Sequence, residues 1–468
     1  MTSSTSVQPI DVIGAVESAV PVGEATFGDF EIWPVIRMMI ALALKPDSTG
    51  FERGRLERVR RVVQPGARRR RRRITSPGAV VLTQRSNRMV PRDGRFFDVL
   101  ADPIAAQAAA GGLAPCVWSW ADTVDARPPW RQDVDNIDIE LAFAAARALA
   151  RARLGRVPEQ LRTDVHDLLA ATRSAGVDLV ADDAIARVLT VDGIARAVSR
   201  RIDDNPPELA FVVCWYGLPG LGFVLGCRRL GIRTVDIQHG VQGPGHEAYG
   251  AWAGDPGARS RLIPDRFWCW RPTDAAWIDA AMGPGRAVVG GHPLHDVLDR
   301  DELDRLAQSA STTASKPRAE REVLVTLQPG VDIADVVLQA IEMAPRGWRW
   351  WVRAHPTTAG EEAKPYRDLA ADVEVEAASA LPLITLLERV DAHVTAYSSV
   401  VVEAASAGVP SIGLSPLGER LYPTEVASGA LEFASGAADL TAAIARSVPR
   451  GAKEERPDPN AALAQLRV

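Results

Sequence analysis

Short apolar runs alternate with helical stretches along most of this chain, in two series, and that rhythm limits the fold more than any other feature. The first series holds "GAVVLTQ" (78–84), "PCVWSW" (115–120), "LAFVVCW" (209–215), "RTVDIQHG" (233–240) and "DRFWCW" (265–270). The second holds "EVLVTLQPG" (322–330), "WRWWVRAHP" (348–356), "VEVEA" (373–377), "AHVTAYSS" (392–399) and "VPSIGLS" (409–415). Near-continuous apolar runs, as opposed to alternating ones, mark strands buried on both faces, and strands separated by helices pair in parallel. The pattern therefore predicts an α/β protein of two doubly wound Rossmann-like domains, with extra N-terminal helical segments. Domain bounds are expected at 1–76 (N-terminal segment), 77–302 (first domain), 303–320 (a small, polar linker), 321–450 (second domain) and 451–468 (tail). In doubly wound sheets ligands bind beyond the carboxyl ends of the strands. Residues at those ends are thus the ones to read for chemistry.

Composition sets the boundaries of that reading. With 468 residues, 47% of them apolar, the chain has material for two cores. The four cysteines are scattered, with no CxxC or His/Cys cluster, so neither a disulfide framework nor a zinc site is expected; Cys214 and Cys227 read as inert core residues. No apolar run reaches eighteen residues. The first thirty residues lack the basic-then-apolar order of a signal peptide, so the expected location is the cytoplasm. Residues 51–95 hold fifteen arginines, six of them consecutive from Arg68 to Arg73, against three acidic residues, although the whole chain carries −5. This block reads as a solvated segment or as a holder of an anionic partner. The stretch before it, "IWPVIRMMIALAL" (32–44), reads as a core helix or as one lying on the inner face of the plasma membrane beside the basic tract.

Four strand ends carry unusual polar residues. "YSSVVVEA" (397–404) places Ser398 and Ser399 at a strand-to-helix turn, where hydroxyls and unpaired helix amides bind phosphate or serve as plain N-caps. Glu403, one turn further, accepts hydroxyls of a ribose or complements the helix N-terminus. In "RAHP", Arg353 is suited to a two-pronged phosphate contact, His355 to donating a hydrogen bond or proton to the same group, and Pro356 to fixing the turn. In "QHG", Gly240 allows close backbone approach, and His239 faces the cleft from the first domain or binds a neighbouring loop. "GGHP" (290–293) is the fourth. The acidic "DVD" (133–135) mimics a metal motif but reads as helix capping, "GLPGLG" (217–222) lacks dinucleotide-loop spacing, and "WRWW" reads mostly as core. No metal site is predicted.

The ordered set DIQHG, GGHPLHD, RAHP and DAHVTAYSSVVVEAASAGVPSIGL resembles bacterial surface-polysaccharide glycosyltransferases of the GT-B fold, over roughly 205–445. It is similar to capsule Kdo transferases, bacterial sialyl- and polysialyltransferases and teichoic-acid polyol-phosphate polymerases. The fragment "PRDGRFFD" is similar to their acidic-Asp-Gly motif, with Arg92 at the first acidic position, so that only Asp93 and Gly94 match. The resemblance implies two domains facing a central cleft, His355 assisting departure of the donor phosphate, Ser398 and Ser399 binding that phosphate, and Glu403 binding the nucleotide ribose. A base is then needed from the other domain: Asp93 first, His239 second, with Asp98 and Asp102 also eligible. The implied activity is a metal-independent inverting transfer, with no cofactor beyond the nucleotide-sugar co-substrate. It leans to a CMP-activated acidic sugar of the Kdo or sialic type, passed to a cell-surface glycan or lipid-linked acceptor. Alternatives are a CDP-glycerol or CDP-ribitol polyol-phosphate transferase with His239 as base, a sugar-nucleotide epimerase of the same fold, an arginine-tract nucleic-acid-binding protein, and a non-catalytic scaffold. The acidic remainder and the absence of a nucleic-acid module speak against the nucleic-acid reading.

Overall fold

The computed structural model describes residues 8–44, 78–84, 89–120, 128–131, 133–202, 204–250, 252–254, 256–297, 317–355, 360–367, 372–449 and 457–468, with 301, 304, 305 and 369. The arginines at 68–73, most of the expected linker and Pro356 lie outside these.

Seven strands form the first sheet: β1 (Gly78–Gln84), β2 (Ala114–Trp120), β3 (Val134–Asn136), β4 (Leu209–Val213), β5 (Arg233–Ile237), β6 (Arg266–Cys269) and β7 (Ala287–Val289). Their order is β7-β6-β5-β4-β1-β2-β3, all parallel. The second sheet comprises β8 (Arg321–Thr326), β9 (Trp348–Arg353), β10 (Val373–Glu374), β11 (Ala392–Thr395), β12 (Ser411–Gly413) and β13 (Leu431–Phe433). Its order is β10-β9-β8-β11-β12-β13, again all parallel. Both sheets are doubly wound, with the reversal of strand order between β1 and β4 and between β8 and β11. This is the two-domain α/β architecture that the alternating pattern predicts.

The uninterrupted apolar runs are explained by what covers them. In β4, Leu209, Phe211 and Val213 face one hydrophobic cluster while Ala210 and Val212 face another. In β9, Trp348, Trp350 and Val352 join one cluster and Trp351 the opposite one, which accounts for "WRWW" as core. Gly222 of "GLPGLG" and Gly226, four residues on, serve packing. A Cβ on Gly222 would lie 2.4 Å from Ile194, and one on Gly226 2.7 Å from the Ala195 carbonyl, so helix Leu218–Arg229 seats closely on helix Ala181–Ile202.

Several expectations are corrected. Helix Trp33–Leu44 is buried in the first domain's core, and its Arg37, fully enclosed, donates to the Glu247 carbonyl at 2.6 Å and to the Gly250 carbonyl, and pairs with Glu17 at 2.5 Å. Burial lowers the Arg37 pKa to about 10 against the pull of Glu17. A charge inside the apolar stretch is therefore a core contact, as the core-helix reading expects, and only the last turn, with Leu42 and Ala43, is exposed. No helix among the described residues is long and apolar enough to cross a membrane. Part of the expected tail is a helix, Pro459–Arg467, capped by Asp458, which crosses back to the first domain. There Leu463 and Leu466 enter the core, and Gln107 donates to Asn460 at 2.8 Å. "VEVEA" is strand only at Val373–Glu374 and turns into helix Glu376–Ala380. "DVD" runs into the edge strand β3, with Asp135 paired to Arg201 and Asp133 to Arg131, each at 2.8 Å, while Asn136 Oδ1 accepts from the Asp138 amide at 2.8 Å where the following helix begins. Cys227 is buried as expected, whereas Cys214 is half-buried at the end of β4 with a positive φ of 69°.

His393, inside the DAHVTAY motif, is a structural residue. Fully buried, it lies 2.8 Å from Thr326 Oγ1 on β8 and 2.9 Å from Ser411 Oγ on β12, tying three strands together. Burial depresses its pKa from 6.5 to about 3. Unfolding lets this ring take up a proton, so its contribution to stability is intact above pH 6.5 and is lost as pH falls from there toward 3. The slope from this one group is about 1.4 kcal/mol per pH unit. Urea unfolding at pH values between 7 and 5 is expected to show this acid sensitivity in the wild type and a flatter dependence in His393→Gln.

Candidate functional site

Motifs from both domains meet across one seam. The loop after β5 brings Gly240 against the start of helix Val400–Ser406: a Cβ on Gly240 would lie 3.7 Å from both Cβ and Oγ of Ser399. The GGHP loop after β7 brings His292 Nε2 to 3.3 Å from Glu403 Oε1. Trp270, just beyond β6, packs with Val241 from its own domain against Val401, Val402 and Tyr422 of the other. Arg271 Nη1 lies 2.8 Å from Glu425 Oε1, with Nε and Nη2 donating to Asp274 at 3.1 and 2.9 Å. Burial opposes the Arg271 charge, but the Asp274 and Glu425 carboxylates hold its pKa above the usual arginine value.

On the second domain's side, the sheet register sets the geometry. Thr326 of β8 is level with Arg353 on one neighbour and Thr395 on the other. "RAHP" and "YSS" thus leave the same carboxyl edge on either side of β8, their strand ends roughly 10 Å apart. Gln328 spans the reversal point, its Oε1 accepting from the Tyr397 amide at 2.8 Å. Ser398 bonds locally, its Oγ accepting from the Val400 amide at 3.3 Å and its amide donating to Thr395 Oγ1 at 3.2 Å. Ser399 occupies the N-cap position without a side-chain cap bond, which leaves its hydroxyl beside Gly240. The His355 amide donates to Glu362 Oε1 at 2.7 Å. Burial lowers the His355 pKa below the ordinary histidine value, opposed by Glu362 and assisted by Arg353.

Arg353 differs from expectation. Its Nη1 donates to the carbonyls of Ala378 and Leu381 at 2.5 and 2.6 Å, so one prong of the expected phosphate clamp is spent on the C-terminal end of helix Glu376–Ala380. Those carbonyls lack partners within their own helix, and a guanidinium at that end satisfies them. Burial lowers the Arg353 pKa to about 10, with Glu403 pulling the other way.

On the first domain's side, His239 Nδ1 lies 3.1 Å from the Ile237 carbonyl and Nε2 lies 3.0 Å from the Tyr216 hydroxyl, whose ring stacks on the imidazole. A carbonyl only accepts, so Nδ1 carries the proton and the neutral ring's lone pair sits on Nε2. Beneath this pair, buried Asp236 accepts from Tyr249 at 2.7 Å and fixes the loop that presents His239. Asp93 lies at the tip of the hairpin Met89–Arg92/Arg95–Asp98, with φ 49°, its side chain 75% exposed and 3.7 Å from Arg92. Asp-Gly with both φ positive is the chemistry of a two-residue hairpin turn, which explains the pair without a catalytic role. Asp98 accepts from the Leu100 and Ala101 amides at 3.0 and 2.9 Å, and Asp102 accepts from the Asp98 amide at 2.9 Å, a reciprocal cap for helix Ala101–Ala110. Sequence reasoning missed Tyr216, Trp270 and the meeting of His292 with Glu403; "GGHP" and "YSSVVVEA" signalled the two members of that contact separately, and nothing signalled the other two residues.

No family model and no curated protein sequence matches the chain. Among solved structures it is similar to a Neisseria meningitidis UDP-GlcNAc 2-epimerase bound to UDP-GlcNAc, with 13% identity, 79% of this chain and 90% of that one covered, and a TM-score of 0.47. It is also similar to the calicheamicin glycosyltransferase CalG4, with 14% identity, coverage of 84% and 93%, and a TM-score of 0.44. A third is the glycosyltransferase of kitacinnamycin, with 16% identity, coverage of 84% and 94%, and a TM-score of 0.45. The fold described above rests on strand order and register.

Since 3.7 Å is ordinary van der Waals contact, Gly240→Ala is expected to leave domain closure unchanged, while Gly240→Trp drives the domains apart. Small-angle scattering checks this as a larger radius of gyration in the Trp variant alone.

Proposed function

We propose that the protein is a metal-independent, inverting glycosyltransferase of GT-B architecture that moves a sugar from a nucleotide donor to a glycan or lipid-linked glycan acceptor. The observation that carries this reading is the meeting of strand-end motifs from two doubly wound sheets: Gly240 against Ser399, and His292 against Glu403. Cleavage of a sugar–phosphate bond builds negative charge on the leaving oxygens, and fixed donors stabilise it. Ser399 Oγ, which makes no cap bond of its own, and the His355 imidazole would supply those donors. Glu403 would accept ribose hydroxyls. His239 is the base that the geometry favours over Asp93, because its Nε2 lone pair is held in place by Tyr216.

The lean toward a CMP-activated acidic sugar draws support from the charge inventory. Arg353 remains a cation, but its Nη1 is committed to carbonyls and burial lowers the His355 pKa, so RAHP and YSS bring little uncommitted positive charge to this edge, which suits a monophosphate leaving group more than a diphosphate.

Calorimetry with CMP, CDP, UDP and GDP tests the donor class, with CMP expected to bind most tightly and Ser399→Ala to weaken it about tenfold. Donor turnover is expected to fall at least about 100-fold in His355→Ala and His239→Ala. Unchanged turnover in both would remove the proposed chemistry. Because the His355 pKa lies below the ordinary value, nucleotide affinity should be flat between about pH 7 and 8.

A further inference from the structure

We infer that His292 is a positioning residue: it completes, from the first domain, a vicinal-diol site whose acceptor is Glu403 of the second, so that the site is whole only when the domains are closed. This rests on the reading of Glu403 as the acceptor of nucleotide ribose hydroxyls.

The chain goes to some length to place this ring. Gly290 passes so close to Trp268 that a Cβ there would lie 2.1 Å from the indole, and Gly291 has φ +81° with Asp296 2.6 Å from where a Cβ would stand. The paired glycines of "GGHP" therefore admit no side chain on the approach to His292. The His292 amide donates to Asp296 Oδ2 at 2.7 Å, and the Trp270 ring lies 4.3 Å from the imidazole. Trp270 is itself fixed to the QHG loop, its amide donating to Gln238 Oε1 at 2.6 Å and its Nε1 to the Gln238 carbonyl at 3.0 Å.

The ring's tautomer follows from one contact. The Leu294 amide donates to His292 Nδ1 at 3.2 Å, so Nδ1 holds a lone pair and Nε2 carries the proton that faces Glu403. A carboxylate has roughly four acceptor sites. His292 Nε2 lies 3.3 Å from Oε1, which leaves capacity for the two hydroxyls of a diol. Glu403 is also near enough to Arg353 to oppose the lowering of that guanidinium's pKa by burial. The imidazole N–H thus brings a first-domain donor to a carboxylate that otherwise answers to a second-domain cation. When the domains part, that donor leaves with its own sheet.

The test uses the full-length protein and calorimetric titration of the nucleotide that binds in the donor screen, alongside its 2′-deoxy and 3′-deoxy forms. Glu403→Ala should bring the ribo-to-deoxy affinity ratio close to one. His292→Ala should cut the ratio about tenfold while leaving affinity for the deoxy forms in place. His292→Gln, whose amide N–H can replace Nε2–H, should restore much of it. If the alanine variant loses its circular-dichroism signature, His292→Asn, too short to reach Glu403, takes its place. A collapsed ratio in Glu403→Ala with an unchanged ratio in His292→Ala overturns the inference and spares the reading of Glu403. An equal loss of ribo and deoxy binding in His292→Ala marks a purely structural role and also overturns it. A ratio unaffected by Glu403→Ala, or no nucleotide binding at all, removes the reading itself and the inference with it.

Discussion

The cleft depends on a guanidinium buried between the two domains. Arg271 lies between Asp274, three residues along its own chain, and Glu425 of the opposite domain, and all three side chains are almost wholly enclosed. A charge removed from water is costly unless paired at short range, and removing one partner from such a pair costs about 3–5 kcal/mol. The Arg271–Glu425 contact therefore acts as a register device, since only one seating of the domains satisfies it. That seating sets Trp270 on Val401 and Val402, Gly240 on Ser399 and His292 on Glu403. Apolar contact alone is non-directional and would tolerate slippage of the helix start across the loop ends. The ion pair and the histidine contact do not.

The location of the polar residues follows from the burial of the sheets. Both are parallel and covered on both faces, so their strand interiors admit little polarity beyond satisfied cross-links such as His393. Strand ends are the remaining places where side chains and unpaired backbone groups reach open space. In each domain the reversal of strand order leaves a crevice at that edge. Gln328 reinforces the one in the second domain by tying the β8 exit to the Tyr397 amide. In the first, Cys214 with its positive φ turns the chain sharply from β4 into the segment that carries Tyr216. Tyr216 then reaches the exit of β5 and meets His239. Local backbone geometry at one strand end thus orients a side chain at the next.

Much of this was legible in the sequence. The run 78–84 is a strand with those bounds, and the two β-α series and the polar strand ends stand where the pattern places them. What the sequence hid depends on partners far away in the chain. Arg37 looked like an interruption of an apolar surface because its acceptors, the carbonyls of Glu247 and Gly250, lie more than 200 residues on. Arg353 looked like a phosphate ligand because a motif states which side chain leaves a strand end and not where a long, flexible one finds its acceptors. The helix Pro459–Arg467 looked like a tail because its small apolar face has meaning only against Ala101–Ala110 and β7. Asp93 is the opposite case. The Asp-Gly pair is a local turn signal, legible without any distant partner.

Three histidines show how far one main-chain contact can decide chemistry. His239 and His292 both stand at the carboxyl edge of the first sheet, and His292 faces Glu403 of the second domain. At His239 a carbonyl claims Nδ1, so the proton sits there and Nε2 is a lone pair held by Tyr216. At His292 an amide claims Nδ1, so the lone pair sits there and Nε2 is a donor held toward Glu403. Identical side chains on one sheet edge are thereby set to opposite roles, an acceptor suited to receiving a proton and a donor suited to orienting a carboxylate. His393 lies between two hydroxyls, each able to donate or accept, so neither tautomer is imposed, and its buried position makes it a cross-link. The letter H in a motif carries none of this distinction; the identity of the backbone group two residues away does.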